Sequence, residues 1–172
     1  MPRAALRLQG RTVLFTILLV GFAARTIAVM AWSENLTDDR DTYLALADGL
    51  VEGRGYSVPG STTPTAYRPP LYPLLLASVG AFDRGAVVAV LHILLGTATI
   101  ALTYSLARTV GLSVVASGLA AGCVAVDPLL LRYTTFPMTE TLSTFLATAL
   151  LAMSYRAIPA DGRYTTLEIL AV

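Results

Sequence analysis

DDRDTYLALADGLVEGRGYSVPGSTTPTAYRPPLYPLLLA, residues 38–77, is the one long polar stretch between runs apolar enough to enter a membrane. It opens on Asp38, Asp39 and Asp41 and continues as an amphipathic segment. A loop rich in Gly, Pro, Ser and Thr follows, and the stretch closes on Tyr67-Arg68-Pro69-Pro70 against a new apolar run. This layout predicts a solvent-facing loop on a bilayer surface, with carboxylates at one end and a guanidinium at the other. The rest of the chain reads as the membrane part that carries it.

Composition agrees. Of 172 residues, 55% are hydrophobic and 13% charged, and the mean hydropathy is +0.68. Soluble domains carry about a quarter charged residues. A net charge of +1 without a basic stripe argues against nucleic acid as a partner. The single Cys123 sits in an apolar run and leaves no disulfide framework; it reads as a small buried apolar side chain.

Working outward, residues 12–32 are apolar except for Arg25, long enough for one crossing of about 20 residues. Arg3, Arg7 and Arg11 precede them, which predicts a cytoplasmic N-terminus. Cleavage of this run as a signal peptide is the competing reading, but further apolar runs favour a retained anchor. Arg25 lies seven residues before Trp32, about 10 Å along a helix, within reach of the outer headgroups by snorkelling; the alternative is a phosphate or carboxylate partner. Further crossings are expected at 86–107, 110–126 and 139–155, with the start of a fifth at 167–172. The expected architecture is an all-α, multi-pass helical bundle in the cytoplasmic membrane, with residues 33–85 as an outward loop bearing interfacial helices. The inside segments then hold Arg3, Arg7, Arg11, Arg108, Arg156 and Arg163 against Asp161 and Glu168, in keeping with the positive-inside rule.

Within the loop, Tyr43, Leu46, Ala47, Leu50 and Val51 recur at helical spacing, with Asp48 and Glu52 opposite, and Gly53 and Gly55 follow as terminators. The plain reading of Asp38, Asp39 and Asp41 is helix capping. Two further features give them a second reading: Arg68 in the same loop, and Glu140 in the next outward turn. A carboxylate at the surface can take a proton from an acceptor hydroxyl or amine, and a guanidinium can hold a lipid-linked phosphate. Phosphate leaves readily once its charge is stabilised, so the reading invokes no cofactor. Arg132 reads as a contact to a lipid phosphate or headgroup. His92 reads as a partner for a neighbouring helix or as lining of a donor site. Asn35-Leu36-Thr37 matches a glycosylation acceptor, close to the membrane.

Three motifs carry a resemblance: Asp39-x-x-x-Tyr43-x-x-Leu46-Ala47; Gly53-Arg54-Gly55-Tyr56-Ser57; and Arg68-Pro69-Pro70-Leu71-Tyr72-Pro73. In this order they resemble the first outer loop of the protein O-mannosyltransferase and aminoarabinose-transferase families, C-type glycosyltransferases of the membrane. The resemblance continues to Tyr133-Thr134-Thr135-Phe136-Pro137-Met138-Thr139-Glu140. It implies transfer of a sugar from a polyprenyl-phosphate donor to an acceptor (protein, lipid or glycan), with inversion at the anomeric carbon. By the same resemblance the catalytic aspartate maps onto Asp39, the donor-phosphate residue onto Arg68 and a second outward acid onto Glu140. Tyr43 is the aromatic four residues after Asp39. The family usually has Glu where Arg40 stands, which leaves Asp39 and Asp41 both open as the base. Its members carry more crossings, and this chain ends inside the apolar run Leu170-Ala171-Val172, so the resemblance implies the N-terminal part of such a transferase. The alternative is a non-catalytic membrane remnant or a subunit that binds lipid or a partner.

Overall fold

The computed structural model describes residues 3–80 and 82–157, and these are helical, without a named strand. Seven α-helices follow in order: α1 Arg3–Ala31, α2 Tyr43–Val51, α3 Leu71–Ala77, α4 Arg84–Thr109, α5 Val114–Val126, α6 Pro128–Tyr133 and α7 Glu140–Ala157. A 3-10 turn, Ser33–Thr37, links α1 to the polar loop. The central helix is α4, which packs against α1, α5 and α7, while α2 and α3 pair with each other in the loop.

Among the described residues, two helices are long and apolar enough to cross a membrane: Leu8–Ala31 of α1, and α4, with mean hydropathies of 2.2 and 2.1. The crossing expected at 110–126 is shorter. Gly111 turns the chain at φ 94°, and Ser113 caps α5, accepting from the Ala116 amide at 3.1 Å. The 13 residues of α5 span about 20 Å, against about 30 Å of bilayer hydrocarbon. The fourth crossing expected at 139–155 falls on α7, the 18 residues Glu140–Ala157, which is not one of the two membrane-length helices. The start of a fifth lies outside the described residues.

Close approach of α1 to its neighbours follows from glycine. A Cβ on Gly21 would stand 2.2 Å from Ile100 Cδ1, and one on Gly96 2.2 Å from Arg25 Nε. Small residues at such points let membrane helices meet backbone to backbone. Two apolar clusters result. One joins Val29, Leu36, Tyr43, Ala47, Tyr72, Leu76, Val88 and Leu142 beneath the loop; the other joins Ile100, Tyr104, Ala121 and Ala125 between α4 and α5. The first cluster roots the polar loop in the bundle.

Two sequence expectations are corrected. Arg25 does not snorkel. It is 1% exposed and turns inward, donating through Nη1 to Gly21 O at 3.2 Å and Ala125 O at 3.3 Å, and through Nη2 to Val124 O at 3.3 Å. The last carbonyls of α5 lack intrahelical partners and carry the negative end of its dipole, so they draw the guanidinium away from the headgroups. Cys123, expected buried, is exposed on α5; the helix turns Ala121 and Ala125 inward instead. The Asn35 amide is already engaged, donating to Thr135 Oγ1 at 3.3 Å.

Candidate active site on the polar loop

The site begins with a strained turn. Thr42 has φ 64° and ψ 18°, the left-handed region that a β-branched residue rarely enters. This turn folds Asp39 back over the start of α2, where its two carboxylate oxygens accept from the amides of Leu44 at 3.0 Å and Ala45 at 2.9 Å. Those are the second and third helical amides, the donors that a cap residue satisfies. Asp39 therefore caps α2 from outside the usual position. Asp38 pairs with Arg40 at 2.6 Å, and Asp41 pairs with Arg68 Nη2 at 2.5 Å.

The amphipathic reading of α2 holds on one face: Tyr43, Leu46 and Ala47 are buried, with Leu44 beside them, whereas Val51 is exposed. At the end of the helix Gly53 adopts φ 78°. The chain returns through an isolated bridge between Ser57 and Pro64, and Tyr56 Oη donates to Arg68 O at 2.9 Å. Pro70 then starts α3, as a proline can at the first turn.

Arg68 is held on several sides. Its guanidinium carbon lies 4.7 Å from the ring centre of Tyr67 and 5.5 Å from that of Tyr43, and Asp41 is its ion partner. Its Nε is buried without a hydrogen-bond partner. A cavity of about 220 Å³ has Arg68 in its wall, beside Thr42, Leu46, Val58 and Tyr67. Tyr67 itself stands out into solvent.

Beneath Tyr43 lies Tyr72, which residue spacing alone did not single out. Its fully buried ring meets Tyr43 edge-on, with centres 5.4 Å apart, and its hydroxyl is 2.8 Å from His92 Nε2. The other ring nitrogen of His92 is 3.2 Å from Thr134 O. A carbonyl can only accept, so Nδ1 carries the proton there and Tyr72 donates to Nε2. His92 is 0% exposed with both nitrogens engaged; it reaches the loop only through Tyr72.

Tyr72 also feels two acids, one of the loop and one of α7. Burial pushes its phenol above the ordinary tyrosine range, and the carboxylates of Asp39 and Glu140, then Tyr43, add to the rise. The Asp39 and Glu140 carboxylates thus act on one phenol from separate elements. Glu140 opens α7, and its Oε2 is buried with no hydrogen-bond partner. Arg132 stands apart on α6, its guanidinium 5.6 Å from the ring centre of Phe136. Among the described residues, no three of His, Cys, Asp and Glu converge as a metal-binding group.

Of the seven candidates, Tyr43, Arg68 and Asp41 touch directly. Tyr72 links them to His92 and senses Asp39 and Glu140. Comparison with known protein families, with curated proteins and with solved structures finds no match to this chain.

Proposed function

We propose that this chain takes part in transferring a sugar from a polyprenyl-phosphate carrier to an acceptor at the outer face of the cytoplasmic membrane. In this reading α1, α4, α5 and α7 form a multi-pass bundle with its N-terminus inside. Asp39 takes the acceptor proton, Arg68 holds the carrier phosphate, and Glu140 orients the acceptor. Asp41 keeps Arg68 in place between transfers, and Tyr43 and Tyr72 carry the pair on a rigid base.

The observation that supports this is two of the five buried side-chain atoms without partners among the described residues, one on Arg68 and one on Glu140. Arg68 Nε–H and Glu140 Oε2 are both buried and unpartnered, whereas such groups are nearly always satisfied. A phosphate oxygen would satisfy the first and an acceptor hydroxyl the second. The opposite reading, a loop that only binds, draws on the structural partners that Asp38, Asp39 and Asp41 each have.

Asp39→Asn separates the two. Asparagine keeps one of the two capping acceptors of Asp39 but is no base. With polyprenyl-phosphate-linked mannose and aminoarabinose as donors, transfer by membranes bearing the chain should fall at least about 100-fold, with the amount of inserted protein unchanged. Wild-type transfer in Asp39→Asn and loss in Asp41→Asn moves the base to Asp41. Wild-type transfer in both variants overturns the proposal.

A further inference from the structure

A second groove, mostly apolar with Arg132, Asn35 and Thr135 in its wall, lies where α1 ends. It has a volume of about 360 Å³ and is walled by Trp32, Asn35, Pro128, Leu131, Arg132 and Thr135. Trp32 follows the last residue of a membrane-length helix and is 50% exposed, the setting of an interfacial aromatic. Arg132 forms no ion pair among the described residues; it rests on Phe136, as does Arg40, which is already paired with Asp38. One of the two amide hydrogens of Asn35 goes to Thr135, leaving the other to donate. Pro128 and Leu131 supply an apolar wall.

We propose that this groove seats the phosphodiester of an anionic glycerophospholipid from the leaflet that α1 reaches at Ala31. Arg132 takes the phosphate through its fork of donors, Asn35 donates to the headgroup, and Trp32 packs on the glycerol. Among the walls, no carboxylate is present to activate an acceptor, so a phosphodiester here is held and not consumed. An ammonium headgroup would meet the like charge of Arg132, so phosphatidylglycerol is preferred to phosphatidylcholine. The inference rests on α1 crossing the membrane and is independent of sugar transfer.

Trp32 is the single tryptophan of the chain and lies in the groove wall, so the difference in its quenching between the two lipids, and its loss in Arg132→Gln, reports on the groove. The full chain is placed in nanodiscs containing brominated phosphatidylglycerol or brominated phosphatidylcholine at equal mole fraction. Brominated phosphatidylglycerol should quench with about fivefold higher apparent affinity. Arg132→Gln should abolish the preference, and Arg132→Lys should keep part of it. Should Arg132→Gln lose helical circular dichroism, Asn35→Leu, which leaves the charge in place, is expected to reduce the preference instead. Equal quenching in the wild type overturns the proposal, as does a preference that survives Arg132→Gln. Relief of quenching by equimolar farnesyl phosphate but not by unbrominated phosphatidylglycerol also overturns it, assigning the groove to the isoprenoid carrier.

Discussion

Tyr72 illustrates how much chemistry one buried side chain can gather. Its hydroxyl serves His92, its ring supports Tyr43, and two carboxylates bear on its proton. Because its folded pKa is raised, its contribution to stability is fully present below the unfolded tyrosine value, about 10, and is lost as pH rises beyond it. Unfolding in detergent followed by circular dichroism should show a stability that falls above about pH 10. Tyr72→Phe should flatten that fall, at a cost of about 1–3 kcal/mol near pH 7 from the stranded His92 nitrogen; an unchanged alkaline slope would place the effect elsewhere. Asp39 carries a related lesson. Its sequence position suits both a cap and a base, and the structure shows the cap without removing the second role, since each carboxylate oxygen keeps a further lone pair.

Among the elements, the α1–α4–α5 junction depends on two glycines, Gly21 and Gly96, and Gly96 faces Arg25. Arg25 is pinned by three carbonyls with no route to solvent, so a methyl on Gly96 meets a side chain that cannot yield cheaply. Gly96→Ala should destabilise the protein by about 1–3 kcal/mol. In an Arg25→Met background the same change should cost clearly less, because the two sites share one space. Equal losses in both backgrounds in thermal unfolding would show that the two sites are uncoupled. The helix α5 starts four residues later than the apolar run from Val110 for a physical reason. Hydropathy runs continuously through 110–126, but Gly111 and Ser113 impose a turn and a cap that an average over apolar residues does not register.

For the whole molecule, the orientation proposed above makes Ser61, on the bridged loop between α2 and α3, an external position. Cys123 is exposed and would confuse labelling, so the test uses Ser61→Cys in a Cys123→Ala background. An impermeant maleimide should label it fully in intact cells; labelling only after lysis would invert the topology. The helical class, the two membrane-length helices and the helix at 43–51 were legible in the chain, because each follows from local periodicity, apolar length or a Gly signal. Local signals are silent about which neighbour a polar side chain will find. That Arg25 faces inward, that Asp41 and not Asp39 holds Arg68, and that Tyr72 joins the loop to His92 were all decided by tertiary contact. Each depends on helices distant in sequence meeting at a few ångströms, where unpaired carbonyls, carboxylates and ring nitrogens must find partners or remain at a cost.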